Sequence, residues 1–100
     1  MLFIVESKIK KKISISKEHW KHISEIKHPE VSGLENEIKQ TIISPIEIKR
    51  SNSDKNVYLY YSKYKSNFLC VVIRYLNGNG FIITIYITSK IKKGEILWKQ

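Results

Sequence analysis

Cysteine is almost missing from this chain of 100 residues. Cys70 stands alone, so no internal disulfide and no cysteine zinc site can form. It lies in the apolar run Phe68-Leu69-Cys70-Val71-Val72-Ile73, where a cysteine is ordinarily a small buried hydrophobe. No stretch approaches the ~20 apolar residues of a membrane span. The opening Leu2-Phe3-Ile4-Val5 meets Glu6 too soon to be a signal peptide. A cytoplasmic protein without a membrane partner is the expectation. There is no His-Glu-x-x-His, no glycine-rich phosphate loop and no Cys–His zinc spacing, so no metal or other cofactor is expected. Internal repeats and low-complexity linkers are missing too, and one domain over residues 1–100 is expected.

Acidic residues are also scarce, nine against eighteen Lys or Arg, for a net charge of +9. The excess is uneven. Residues 1–45 hold eight Lys and six Glu, a net of +2, while residues 46–100 hold ten basic and three acidic residues, a net of +7. A positive field of this kind favours polyanions such as RNA. A bland explanation stands beside it. Lys and Ile dominate the composition, which codon bias or a thermophilic proteome would also produce. A domain this small buries only about two-thirds of its unfolded surface, so monomer and homodimer are both open.

The hydrophobic period changes along the chain. Leu2–Val5 and Ile9–Ile15 read as a short strand pair. Ser16 can cap a helix over 17–27, whose apolar arc holds Trp20, Ile23 and Ile26. Pro29 stops it. Ser32-Gly33-Leu34-Glu35 matches a capping box and predicts a second helix over 33–43, with Leu34, Ile38 and Ile42 facing inward. From Pro45 the period becomes two. Ile46–Ile48, Val57–Ser62, Phe68–Leu76 and Phe81–Thr88 read as four strands joined by short polar turns. The tail through Trp98 can add an edge strand. The expected fold is α+β, with two N-terminal helices on one face of a four-stranded antiparallel meander and a short N-terminal strand pair.

In the last main strand, Phe81, Ile83, Ile85 and Ile87 alternate with Ile82, Thr84, Tyr86 and Thr88. The first set reads as a core face and the second as an open one. Register then places Arg74. If Leu76 pairs with Phe81, the guanidinium is buried in apolar surroundings at a cost of several kcal/mol. If Leu76 pairs with Ile82, Arg74 joins Thr84 on the open face, while Ile73 and Ile85 share the other. The second register is favoured and needs an odd loop or a bulge near Asn77-Gly78-Asn79-Gly80.

The open face would then gather Arg74, Thr84 and Tyr86, with Tyr58 and Tyr60 beside them. Arginine offers planar donors to phosphate, and tyrosine offers both a stacking ring and a hydroxyl. Tyr58, Tyr60, Lys63 and Lys65 are the RNA-binding candidates. Three histidines, His19, His22 and His28, lie within ten positions of each other, and histidine exchanges protons near neutral pH. His19 sits in the middle of the apolar arc and reads as a packed residue; His22 lies at its edge; His28 precedes Pro29 in a loop. Cutting RNA without metal needs a base for the 2′-hydroxyl, a cation for the phosphate and an acid for the leaving oxygen. A binding module with no catalysis is the competing reading, and strand propensity alone can account for Thr84 and Tyr86. No helix-turn-helix is evident.

His19-Trp20-Lys21-His22-Ile23, His28-Pro29-Glu30, Pro45, the strand closing on Arg74, Ile83-Thr84-Ile85-Tyr86 and Lys93-Gly94-Glu95-Ile96-Leu97-Trp98 together resemble the layout of small BECR-type proteins. These are the barnase-, EndoU-, colicin- and RelE-like RNases, and the likeness is to their phage- and mobile-element-associated branch. It spans about residues 12–98. The resemblance implies two helices on a four-stranded antiparallel sheet, metal-independent RNA cleavage and a toxin or conflict role, with an antitoxin or inhibitor as partner. By motif match it implies catalytic roles for His22, His28, Arg74, Thr84 and Tyr86.

Overall fold

A computed structural model describes residues 2–100. The N-terminal hairpin is β1 (Phe3–Glu6) and β2 (Lys12–Ile15). Its loop is closed by Ser7 N–H on the Lys11 carbonyl at 2.8 Å and uses Lys10 at φ 65°. The loop takes Ile9, so the second strand is shorter than the apolar pattern suggests. Helix α1 (Lys17–His22) is capped as expected: the Ser16 hydroxyl accepts the His19 N–H at 3.1 Å.

The helix then widens into a π turn over Ile23–Lys27, where the His28 N–H reaches back to the Ile23 carbonyl at 2.7 Å. A π turn inserts a residue and rotates the chain beyond it. Ile26 therefore leaves the apolar arc and is 71% exposed, although Ile23 is fully buried. A 3₁₀ turn over Pro29–Val31 comes next. Helix α2 is Glu35–Ile43, two residues later than the capping-box reading. Gly33 takes φ 82°, outside the helical region, so Ser32 does not cap.

Strands β3 (Glu47–Ser51), β4 (Val57–Tyr64), β5 (Asn67–Leu76) and β6 (Asn79–Thr88) form the meander, and β7 (Gly94–Lys99) ends the chain's regular structure. All seven strands share one sheet, ordered β1-β2-β6-β5-β4-β3-β7. Every neighbouring pair is antiparallel except β2 with β6, which are parallel. This corrects the expectation of two N-terminal helices on a four-stranded antiparallel sheet. Strand takes 47% of the chain and the two α-helices are short. The reason is pairing at long range. The hairpin docks sideways on β6, and β7 docks on β3, and neither contact carries a local turn signal.

One face of the sheet meets the helical segments. Ile23, Val31, Ile38 and Ile42 cluster there with Ile13, Ile15, Ile48, Tyr60, Leu69, Val71, Ile73, Ile82 and Ile85. On the other face Leu59, Tyr61, Cys70 and Val72 form a smaller cluster with Phe68, Ile83, Tyr86 and Ile91. That face is not open throughout. β6 ends beside Phe68, whereas β7 starts beside Ser51 at the opposite end of the sheet. The link 89–93 must therefore cross this face, and its Lys92 N–H donates to the Tyr61 hydroxyl at 3.1 Å. No helix of the described residues is long and apolar enough to cross a membrane.

The β5–β6 hairpin turns on Asn77 and Gly78, both at positive φ (52° and 83°), the signature of a two-residue turn. It pairs Leu76 with Asn79 rather than with Ile82, and the parity is set by a bulge opposite Val72 and Ile73. Beyond the bulge, Val72 faces Thr84 and Cys70 faces Tyr86. Arg74, two residues from Val72, thus shares the face of Thr84, and Ile73 and Ile85 share the other. The extra residue is Ile83. Its insertion breaks the read alternation: Ile82 enters the core at 3% exposure, while Phe81 joins Arg74's face at 45%.

Candidate functional site

The bulge sets the site. An inserted strand residue leaves a backbone group without its ladder partner. Here the Ile83 carbonyl accepts a hydrogen bond from His19 Nε2 at 3.0 Å, which places the proton on that nitrogen. His19 is thus a structural residue, though through a polar contact rather than the apolar packing its place on the arc suggests. With the bulge held, Thr84 and Tyr86 present their side chains on the face crossed by the 89–93 link.

His28 reaches the same place from the other side. The turn at Pro29–Val31 packs against β6, and the His28 ring just before it lies 5.9 Å from that of Tyr86, tilted by 41°. His28 Nδ1 donates to Glu30 Oε2 at 3.3 Å. With the carboxylate on Nδ1, Nε2 is the free nitrogen. Across the Tyr86 ring stands Lys92, its Nζ also 5.9 Å from the ring centroid.

The hydroxyls of Thr84 and Tyr86 are buried without a hydrogen-bond partner in the protein. Burial, then the neighbouring Cys70 thiol, pushes the Tyr86 phenol well above its usual range. It stays protonated at neutral pH. Burial pushes the Cys70 thiol up to about 11, which keeps it protonated and unreactive at neutral pH. No group of three or more His, Cys, Asp or Glu among the described residues is placed to hold a metal ion.

The remaining candidates separate. Arg74 is on the right face, but four residues along β5 from Cys70, the partner of Tyr86, or roughly 13 Å. Its Nη2 donates to Asp54 Oδ2 at 2.6 Å, so the guanidinium is already engaged. His22 is exposed at the end of α1 and shares none of the contacts that tie His28 to Glu30 and Tyr86. The structure moves Tyr58 and Tyr60 off the open face. They pair with Ile73 and Val71 and so face the helices. Tyr60 is fully buried and shares a 2.8 Å hydrogen bond with Tyr75, and Tyr58 packs edge-on against Tyr75 at 4.5 Å.

Lys63 lies opposite Phe68, one row from Tyr61, Cys70 and Tyr86 on their face. Lys65 occupies the β4–β5 turn at φ 54°, over Tyr64. Glu30 and Lys92 had no role assigned from the sequence: Glu30 stood only within the His28-Pro29-Glu30 motif, and Lys92 within the tail that could add an edge strand. Only the crossing of the face by residues 89–93 brings Lys92 to Tyr86.

Two adjoining troughs of about 250 Å³ each lie at the other end of β6, around Phe81 rather than Tyr86. Comparison with family models, with curated proteins and with solved structures finds no match for this chain.

Proposed function

We propose that this chain is a metal-independent endoribonuclease with its reacting centre at His28, Thr84, Tyr86 and Lys92. The observation that carries this reading is His28, oriented by Glu30 and set over Tyr86, beside two hydroxyls that no protein group satisfies. A buried unsatisfied donor is costly and calls for a partner. Phosphate oxygens would serve once the 89–93 link, which crosses this face, moves aside. In this scheme His28 Nε2 takes the proton of a 2′-hydroxyl. The 2′-oxygen attacks phosphorus and the bond to the 5′-oxygen breaks. The leaving oxygen takes a proton from water. A 2′,3′-cyclic phosphate and a 5′-hydroxyl result. Thr84 and Tyr86 donate to the non-bridging oxygens, and the Lys92 ammonium offsets their charge. With His22 outside the centre, a single histidine carries the proton chemistry. The BECR-type resemblance implies the same class of reaction but also roles for His22 and Arg74, which this scheme leaves out.

The test is cleavage of a mixed RNA pool in the presence of chelator, with and without ribosomes. His28→Ala should lower the rate by roughly 10²-fold or more, and His22→Ala should change it little. Because one base acts, the pH–rate profile should show a single limb rather than a bell. RNA left intact under all these conditions sinks the proposal. One observation favours a second reading, an RNA-binding module without catalysis: the troughs lie at Phe81, away from His28. That reading expects binding and no cleavage at any pH.

A further inference from the structure

The troughs at Phe81 have no role in the centre described above. One is lined by Ile4, Lys12, Ser14, Asn79, Gly80 and Phe81. The other adds Ser16, His19 and Ile82 and shares Ser14 and Phe81 with the first. Register explains why they form one surface. Ile4 pairs with Ser14, Ser14 with Phe81, and Phe81 with Arg74, so this row crosses the sheet on a single face. Gly80 beside it has no room for a side chain, since a Cβ would stand 2.8 Å from the Tyr75 ring. Phe81 is 45% exposed and Ile4 59%.

We infer that this surface seats an unpaired base of single-stranded RNA, stacked on Phe81. The inference rests on RNA being the ligand proposed above. The chemistry of the lining argues for a base over a wholly apolar occupant. An exposed aromatic ring on a sheet face is a stacking platform for any base. The guanidinium of Arg74, held by Asp54, is its cross-strand neighbour and supplies a second planar surface. Ser14 and Asn79 offer a hydroxyl and an amide for a base edge, and Lys12 a cation for the adjoining phosphate. Continuity adds to this. The bulge at Ile83 puts Phe81 on the same face as Thr84 and Tyr86, roughly 15 Å further along β6. A single strand lying along β6 reaches both. A duplex, with its bases already stacked and paired, cannot offer one to Phe81.

The probe is a short 2′-O-methyl oligoribonucleotide, which cannot be cleaved through its 2′-oxygen, and an abasic strand of equal length. Phe81→Leu should weaken binding of the base-bearing strand about tenfold and leave the abasic strand unchanged. Phe81→Tyr should restore it. Amide shifts on titration should include Ser14, Asn79 and Ile82. Equal loss for both strands, no loss for either, or an equal Phe81 dependence with duplex RNA overturns the inference. So do shifts that avoid the trough, which would assign it to a protein partner. The two proposals fail separately. A protein that binds through Phe81 but cuts nothing keeps the base seat and loses the nuclease. One that cuts RNA while Phe81→Leu changes no binding does the reverse.

Discussion

The two ends of β6 belong to one strand and behave differently. Asn79–Phe81 sit between β2 and β5, with paired strands on both sides. Thr84–Thr88 keep only β5; their outer edge is met by the helical turns, and their face by the 89–93 link. At the first end the cation Arg74 is taken by Asp54. At the second, Lys63 and Lys92 lie over aromatic rings, and no carboxylate pairs with either among the described residues. The difference shows that one inserted residue can divide a strand into a part that lends an aromatic platform and a part that lends hydroxyls.

The sharpest way to break this comparison is to truncate two residues that plain alternation would treat alike. Phe81 and Ile85 are four apart and would share a face in an unbulged strand. Ile85 is fully buried in the main cluster, and Ile85→Ala should cost about 2–5 kcal/mol. Phe81 is half exposed on the far face, and Phe81→Ala should cost about 1 kcal/mol or less. Denaturant melts of the two variants measure this. Equal losses would mean that the bulge is not where the register puts it.

The next effect concerns what holds the two ends apart. His19 Nε2 supplies the only side-chain hydrogen bond to the Ile83 carbonyl among the described residues. His19→Ala should cost about 1–2 kcal/mol, because it leaves a half-buried carbonyl unpaired. Hydrogen exchange should rise most at Ile83 and Thr84. A uniform rise across the sheet would make His19 a general packing residue instead.

Much of this was legible in the residues. The period of two after Pro45, the Ser16 cap and the cost of burying Arg74 located four strands, a helix start and the faces of Arg74, Thr84, Ile73 and Ile85. Keeping Arg74 out of the core even required an odd loop or a bulge. The position of the extra residue was not legible, because a tight Asn77-Gly78 turn and a bulge at Ile83 produce the same parity as a longer loop. Phe81 was therefore assigned to the core. Tyr58 and Tyr60 went astray for a related reason: β-strand alternation within Val57–Ser62 gives two aromatic faces, since Tyr61 is as apolar as its neighbours. Parallel pairing of β2 with β6 leaves no local mark at all. Of the candidate site, His28 and Tyr86 meet, Thr84 stands beside them, and His22 and Arg74 do not join.

The smallest effect should come from the Asp54–Arg74 pair, and its pH dependence has a definite sign. The Asn56 N–H, at 2.9 Å, holds the Asp54 carboxyl below its ordinary value; burial opposes it, and the Arg74 guanidinium adds to the lowering. A carboxyl with a lowered pKa in the fold adds stability above its unfolded value, and that share is lost as pH falls through the folded one. Wild type and Asp54→Asn should therefore differ by a small, constant interval in Tm from neutral pH down to the ordinary carboxylate range. The interval should close only at lower pH. Closure between about pH 6 and 8 would implicate a histidine rather than this carboxylate. The same variant loosens Arg74 beside Phe81, so it should tighten binding of the 2′-O-methyl strand at low salt while the stability change stays slight. Unchanged binding would mean that Arg74 serves the sheet end alone, and the platform would rest on Phe81 without it.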